Sequence, residues 1–368
     1  MNTRFLEENN MKKEKLLALF LILSVLGTLL SGCGNKEATP PADTHSDAEQ
    51  AVTPAPDQKK EFVRGETTFE RPDIDYPKEA VTIVCPYAAG GGTDLLARIF
   101  AEYATKKTGV PFVVTNITGG GTSTGTLHVH DASPDGYTIL FSHNVVLVNK
   151  WISGTTDFDH TGFENGPMLS EDVASGFFCR ADAPYDNFSE LVEYSKEHPS
   201  EVVVAMETGA FSYAMVKDLM TQCGVEWNLV DAGGNGPKIS ALLGGQVDVI
   251  PNQYGTVKAY IESGDFKCLG FSGHDRSELY PDVPTFEEQG VNAYHPGYTF
   301  AIQLPKGTDP KIVEFYDWMA YEMQNDPEAV AKCENIGNVL SNWLPSYSAK
   351  AYFDDMAIMY QSIAASME

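Results

Sequence analysis

The sequence lacks several motifs on which nucleotide binding, metal binding and redox chemistry depend. No Gly-Lys pair occurs in its 368 residues, which excludes the phosphate-binding loop G-x-x-x-x-G-K-[ST]. Its six cysteines show no C-x-x-C spacing, so neither a zinc site nor a dithiol motif is indicated. Basic residues are few, 25 Lys and Arg against 51 Asp and Glu. The formal net charge of −26 therefore disfavours nucleic acid and other polyanions as partners.

The N-terminal residues have the composition of an export signal. Lys12, Lys13 and Lys15 precede an apolar run over residues 16–30, which is shorter than the roughly 20 residues of a membrane-spanning helix. The run ends in "LSGC", which resembles the lipobox of bacterial lipoproteins. Residues 1–32 are therefore predicted to be a lipoprotein signal peptide and Cys33 the lipidated N-terminus. The alternative is an unmodified Cys33 in a soluble export signal.

Residues 33–72 are rich in Pro, Ala, Thr and Asp and contain almost no large apolar side chains. Such a segment cannot bury enough apolar surface to fold, so it is predicted to be a disordered tether. A lipid anchor followed by a tether predicts an extracytoplasmic protein. It would be held at the outer face of a bacterial cytoplasmic membrane or in a periplasm.

From about Tyr76 onward, β-branched runs alternate with helical patterns, which is typical of an α/β fold with parallel strands. The first strand is predicted at 81–86, followed by a helix from Asp94 with Thr93 as N-cap. The apolar face of this helix is predicted to carry Leu95, Leu96, Ile99, Phe100 and Tyr103. Further strands are predicted at 111–116, in "TILFSH" and in five later segments, the last being "GYTFAIQLP". Three helices are predicted to follow to the C-terminus.

Two glycine-rich loops, "YAAGGGT" and "ITGGGTSTG", follow the first two predicted strands. A glycine-rich loop that leads into a helix exposes backbone N–H groups beside the positive end of the helix dipole, which suits an anion. The second loop does not have the G-x-G-x-x-G spacing of dinucleotide-binding loops. Neither loop contains Lys or Arg, so the residues favour a small carboxylate held by amides and hydroxyls. The alternative is that the glycines only permit tight turns.

Six segments together resemble one known family. They are "YPKEAVTIVCPYAAGGGTDLLARIFAEYATKKTGVPFVVTN", "GGGTSTG", "SPDGYTIL", "ALLGGQVDV", "RSELYPDVPTFEEQG" and "LPKGTDPKIV". In this order they resemble the substrate-binding receptors of tripartite tricarboxylate transporters. The resemblance implies a two-lobed fold like that of periplasmic binding proteins, the Venus flytrap, with a largely parallel sheet flanked by helices in each lobe. Lobe 1 is expected at 73–172 and 292–368 and lobe 2 at 173–291, with hinges near 170–181 and 291–304.

The resemblance also implies a function. A receptor of this kind is a monomer without cofactor, metal or catalysis. It captures a small organic acid between its lobes and delivers it to the membrane permease subunits of the transporter. Carried over residue by residue, the resemblance assigns ligand contacts to Tyr87, Ala89, Gly91, Thr93, Asp94, Gly121, Thr122, Ser142, His143, Thr208, Gly209, Ser212, Asn252 and Gln253.

The sequence departs from the family in two places. The family often has "RPGAGG" where this chain has "NITGGG", so an arginine is missing beside the second loop. It often has "GSSSH" where this chain has "TGAFSYA", which removes a histidine and introduces Phe211 and Tyr213. The added aromatic residues favour a bulkier or less polar acid.

Alternatives remain for several residues. Asp94 either stabilises the start of its helix or recognises an amino group of the ligand. A hydrolase would use Ser142 or Ser212 with His143, but adjacent Ser142 and His143 in a strand point to opposite sides. His128 and His130 do not share a helix face, so metal binding is disfavoured. A ligand sensor for a signalling partner is a further possibility.

Large aromatic side chains and cysteines carry two more open predictions. Trp227, Tyr254, Tyr298 and Trp343 either line a pocket or belong to the core. Apart from Cys33, five cysteines are scattered through the folded part, at positions 85, 179, 223, 268 and 333. They are predicted to be small buried apolar residues, with one disulfide possible.

Overall fold

The computed structural model describes residues 68–367. The predicted signal peptide at 1–32, the lipidation site Cys33 and the tether up to residue 67 lie outside the described residues. None of the helices in 68–367 combines the length and apolar character that a membrane span requires.

The described part of the chain contains ten strands and nine longer helices, each of these helices having at least eight residues. The strands are β1 (Val81–Cys85), β2 (Phe112–Asn116), β3 (Thr138–His143), β4 (Phe163–Glu171), β5 (Ser175–Arg180), β6 (Val203–Met206), β7 (Asn228–Asp231), β8 (Val249–Gln253), β9 (Phe266–Phe271) and β10 (Thr299–Pro305). The helices are α1 (Gly92–Thr108), α2 (Ser123–His130), α3 (Phe188–Glu197), α4 (Phe211–Cys223), α5 (Asn235–Leu243), α6 (Tyr254–Glu262), α7 (Pro310–Gln324), α8 (Pro327–Glu334) and α9 (Ser346–Ser366). Shorter helical turns occupy Gly120–Thr122, Val145–Leu147, Val148–Ile152, His160–Gly162, Glu287–Gln289 and Leu340–Asn342.

The strands form two five-stranded sheets of equivalent topology. Sheet 1 has the order β2-β1-β3-β10-β4 and sheet 2 the order β7-β6-β8-β5-β9. The first three strands of each sheet pair in parallel, whereas β10 and β5 pair antiparallel with both neighbours. Both sheets are therefore mixed, with one strand opposed to the other four. The predicted two-lobed α/β fold is confirmed.

The chain crosses between the sheets twice, after β4 and before β10. The two crossings run side by side, and the Asp172 N–H donates to the Tyr298 carbonyl at 2.8 Å. Strands of sheet 1 fall within 73–172 and 292–368, and those of sheet 2 within 173–291. The residue boundaries of the two lobes stay a prediction, as do the hinges.

Helix α1 begins earlier than its sequence predicts. Gly91 occupies the N-cap in extended conformation, so the prediction of Thr93 as N-cap is wrong, and Thr93 lies buried inside the first turn. Of the residues predicted on its apolar face, Leu96, Phe100 and Tyr103 are buried, whereas Leu95 is 39% exposed. The helix ends at Gly109, whose left-handed conformation only glycine adopts without strain.

The cysteines and two of the large aromatic residues belong to the core. All five cysteines in the described part are free thiols, of which Cys268 is half-buried and the others are buried. Trp227 is 5% exposed and donates its indole N–H to Ser195 at 2.8 Å, and Trp343 is 4% exposed. These tryptophans stabilise the fold rather than line a cleft.

Candidate functional site

The carboxyl ends of the parallel strands of the two sheets face each other. In both sheets the chain adds its next strand on one side of β1 or β6 and the following strand on the other side, and crevices at such points bind ligands in open α/β sheets. Gly92 lies against Gln253, since an added Cβ would be 2.7 Å from Gln253 Oε1. An added Cβ on Gly121 would lie 3.9 Å from the Gly209 carbonyl. The loops of sheet 1 and sheet 2 therefore enclose one cleft.

The cleft, as we use the term, comprises residues 86–93, 117–122 and 142–144 on the side of sheet 1. On the side of sheet 2 it comprises residues 207–212 and 252–253. Every predicted contact residue except Asp94 falls in these segments, and Asp94 follows directly. That these residues contact a ligand stays a prediction. Ala89, one of them, is exposed.

Asp94 stabilises the first glycine loop through a hydrogen bond. This carboxylate is 1% exposed and accepts hydrogen bonds from the Gly90 N–H at 2.9 Å, from Arg98 at 2.9 Å and from Asn116 Nδ2 at 2.8 Å. Burial alone would raise the pKa of Asp94, but the hydrogen bonds, that of Arg98 foremost, outweigh it and lower the pKa. Asp94 is thus an ionised residue that fixes the loop.

These contacts favour the helix-start alternative for Asp94 over recognition of an amino group. Its two carboxylate oxygens already accept four hydrogen bonds, two of them from Arg98. The Gly91 N-cap has no side-chain hydrogen bond, so the first N–H groups of α1 are left for solvent or a ligand. The positive end of the helix dipole points in the same direction.

The second glycine loop adopts a conformation that glycine permits. Gly119, Gly120 and Gly121 have φ values of 121°, 57° and 61°. Thr122 has a φ of 80°, which costs a β-branched residue about 1–3 kcal/mol. The surrounding structure maintains this strain, because the Thr122 hydroxyl donates to Asn149 Oδ1 at 3.1 Å in a fully buried position. Strained backbone of this kind is concentrated at functional sites.

His143, the last residue of β3, lies at the centre of an aromatic cluster. Tyr87 stacks on it with ring centroids 4.4 Å apart, and Tyr298 and Phe211 meet it edge-on at 4.5 and 5.7 Å. Phe211 begins α4 and so belongs to the opposite side of the cleft. Tyr298 therefore belongs to the aromatic cluster beside the cleft. The other three large aromatic candidates, Trp227, Tyr254 and Trp343, are not part of this cluster. Burial lowers the pKa of His143 to about 3, which leaves the ring neutral.

In residues 68–367, no hydrogen bond joins Ser212 to His143 in the way that a hydrolase would require. His143 Nδ1 lies 3.4 Å from the Tyr87 hydroxyl, and Ser212 Oγ accepts from the Glu207 N–H at 3.0 Å. Residues 121–125, "GTSTG", do have the G-x-S-x-G spacing of hydrolase nucleophile loops. Ser123, however, donates its hydroxyl to the Gly120 carbonyl at 2.7 Å, and in 68–367 no histidine is hydrogen-bonded to it.

In the described part of the chain, no group of three or more His, Cys, Asp or Glu side chains is placed to hold a metal ion. His130 stacks on Phe158 at 3.8 Å and contacts Asp131, while His128 is exposed.

On the side of sheet 2, the predicted residues occupy different environments. Thr208 is exposed, with its N–H directed at Asp231, whereas Asn252 and Gln253 are 1% and 8% exposed. Gln253 lies near enough to Asp172 at the crossing to oppose the rise that burial causes in the pKa of Asp172. Gln253 thus connects the crossing to the first glycine loop across the cleft.

One charged residue of this region was missed in the sequence analysis. Lys238 in the first turn of α5 is 1% exposed and donates from Nζ to the Pro251 carbonyl at 2.7 Å. Its spacing to Ala241 and Leu242 was the available signal, since positions i, i+3 and i+4 share the apolar face of a helix. The segment "AGGNGP" (232–237), which leads into α5 and forms its first turn, is also rich in glycine.

Comparison with known proteins gives consistent matches. Residues 96–338 match the model of the TctC family, described as the tripartite tricarboxylate transporter family receptor. Protein BugT of Bordetella pertussis is 30% identical over 241 residues, which cover 65% of this chain and 74% of BugT.

Solved structures show the same fold. The periplasmic binding protein BugD superposes with a TM-score of 0.70 at 29% identity, over 78% of this chain and 97% of BugD. MatC of Rhodopseudomonas palustris with bound malate superposes with a TM-score of 0.71 at 24% identity, over 78% of this chain and all (100%) of MatC.

Proposed function

The chain belongs to the tripartite tricarboxylate transporter receptor family, and from this premise we propose that it captures a small organic acid in the cleft and delivers it to the permease subunits of such a transporter. Family and fold are those of extracytoplasmic solute-binding receptors. We propose that the protein acts as a monomer, without catalysis or cofactor.

One observation carries the proposal. Two glycine loops place backbone N–H groups at the cleft, and the first of them begins α1 without a side-chain cap. Arg98, which follows this loop in α1, is bound to Asp94. A carboxylate would therefore be held by amides and the helix dipole, as the absence of Lys and Arg from both loops indicates.

Closure of the lobes would complete the site. A ligand favours the closed state only if it binds that state more tightly. Thr208, Ser212 and Gln253 would supply the difference, because they belong to the side of sheet 2. X-ray scattering with and without a tight ligand measures this step, and identical profiles would refute it.

The experiment for binding itself is a thermal-shift screen of the purified protein. The panel contains di- and tricarboxylates, acidic amino acids and aromatic acids. A ligand at 100 times its Kd adds about 2.7 kcal/mol, which raises the melting temperature by a few degrees. No shift with any acid would contradict the proposal.

A matched pair of variants places the site. Gly121 and Gly224 have φ values of 61° and 62°, so alanine imposes similar strain at either position. The Cβ of Gly121→Ala points toward the Gly209 carbonyl, whereas that of Gly224→Ala has no atom within 4 Å. We expect at least tenfold weaker ligand binding for Gly121→Ala alone. Equal affinities of the two variants would contradict the assignment.

The anchor is proposed from the sequence. We propose that Cys33 carries the lipid that holds the protein outside the cytoplasmic membrane. Metabolic labelling with a radioactive fatty acid is expected to mark the protein and to fail in Cys33→Ala. Labelling of the variant would contradict the assignment.

A further inference from the structure

Three polar residues lie at the end of sheet 2 that faces the cleft. Side chains alternate between the faces of a strand, so Asn252 shares the face of Ile250. Ile250 and the α5 residue Ile239 belong to one apolar cluster, so α5 packs on this face. Lys238 of α5 binds the Pro251 carbonyl at the carboxyl end of β8, and Glu207 directly follows β6.

This end of sheet 2 lies where the chain changes the side on which it adds strands. From β6 it goes to β7 on one side and then to β8 on the other, and crevices at such points bind ligands in α/β sheets. Strands β6 and β8 pair in parallel through a single register pair, Val204 with Val249. Lys238 binds the carbonyl of Pro251, the residue before Asn252.

Lys238 is an unusual residue for such a position. An ammonium group is costly to bury unless it is paired, and in the described part of the chain no ion pair joins Lys238 to a carboxylate. Only one of the three N–H donors of the Lys238 ammonium group is used by the Pro251 carbonyl. Burial lowers the pKa of Lys238 to about 7, and the negative charge of Glu207 opposes this effect.

Asn252 supplies a second, independent observation. It is 1% exposed, and within 68–367 neither Oδ1 nor Nδ2 has a hydrogen-bond partner. An unsatisfied buried amide costs about 1–3 kcal/mol, so such a group is expected to serve a ligand. Asn252 precedes Gln253, which contacts the first glycine loop across the cleft.

The electrostatics connect this group to the cleft. Burial raises the pKa of Tyr87 and of Tyr298, and the negative charge of Glu207 raises both further. The same charge acts on Lys238. Glu207 is therefore within electrostatic range of both the aromatic cluster and the lysine.

We propose that Lys238 and Asn252 form a subsite that binds an acidic group of the ligand remote from the carboxylate held by the glycine loops. Lys238 is then the residue that selects ligands by their second charge. This inference rests on the proposed function, since it concerns the ligand of the same cleft. Glu207 would keep the proton on Lys238 before the ligand arrives.

The test uses pairs of ligands that differ by one charge. Dicarboxylates of four to six carbons are compared with their monoamides by isothermal titration calorimetry. The wild-type protein is expected to bind its best dicarboxylate at least tenfold more tightly than the corresponding monoamide. Lys238→Met should reduce that ratio below threefold. Lys258→Met is the control, because Lys258 lies on α6, is 52% exposed and is expected to leave the ratio unchanged.

The outcomes separate the two proposals. A wild-type protein that binds the acid and the monoamide equally, or a preference that survives in Lys238→Met, would overturn the subsite and leave the receptor proposal standing. Failure of every carboxylate to bind would overturn both. Asn252→Asp gives a second measurement that keeps Lys238 in place. Its added negative charge should weaken dicarboxylate binding more than monoamide binding, and equal weakening would also overturn the subsite.

Discussion

Gly297, on the return crossing between the sheets, provides the sharpest structural prediction. An added Cβ would lie 1.9 Å from the Asp172 carbonyl oxygen, whereas ordinary contacts begin at 3.4 Å. Gly297→Ala must therefore separate the two crossings by about 1.5 Å, the difference between these distances. The obstacle is backbone, which cannot rotate away as a side chain can.

The magnitude follows from two contributions. Overpacking of a buried site costs about 1–3 kcal/mol. Separation of the crossings also breaks the hydrogen bond from Asp172 to Tyr298, which contributes about 0.5–1.5 kcal/mol. We therefore expect Gly297→Ala to lower the free energy of unfolding by about 1.5–4.5 kcal/mol.

Urea unfolding followed by circular dichroism measures this change, with an unchanged slope showing that only stability is affected. Gly273→Ala is the matched control. The Cβ of that variant would have its nearest contact at 3.9 Å, and its effect should stay within about 0.5 kcal/mol. Equal stability of Gly297→Ala and wild type would refute the close packing of the crossings.

Three further predictions concern the crossing and the cleft. Burial raises the pKa of Asp172 from 3.8 to about 6, so the unfolded chain ionises first and Asp172 should lower stability by up to about 3 kcal/mol as pH rises from 4 to 7. Burial also raises the pKa of Asp218 and of Asp317 to about 7, so urea unfolding across this range should show a smaller fall, not none, in Asp172→Asn, and an equal fall in both proteins would contradict the assignment. Phe211→Ala removes the ring that packs on Tyr298 at 4.2 Å and should cost about 3–5 kcal/mol in urea unfolding, a loss below 1 kcal/mol contradicting its buried position. Asn116→Ala removes a donor to the buried Asp94 and should cost about 1–3 kcal/mol and weaken ligand binding, whereas unaltered affinity would show that the loop needs no such support.

The sequence predicts those elements whose signals are local. Strand β1, helix α1 and strand β3 follow from β-branched runs and helical periodicity within single segments. The start of α1 was misplaced because Gly91, not Thr93, provides its extended N-cap residue. Strand β4 was not predicted, since "FENGPMLSE" shows no alternation and owes its conformation to irregular pairing with β10.

The candidate site was predicted in part for the same reason. The glycine loops are visible as sequence, whereas their supports come from distant residues. Asn116 lies 22 positions from the Asp94 that it binds. The hydrogen bond of Lys238 to the Pro251 carbonyl joins residues 13 positions apart, and no local pattern records this contact.

The most direct test of the central claim is a crystal structure of the protein with the tightest acid from the screen. We predict that a carboxylate of this ligand lies within hydrogen-bond distance of backbone N–H groups in residues 89–93 and 120–122. A ligand bound outside the cleft, or one held in it without those amides, would contradict the account.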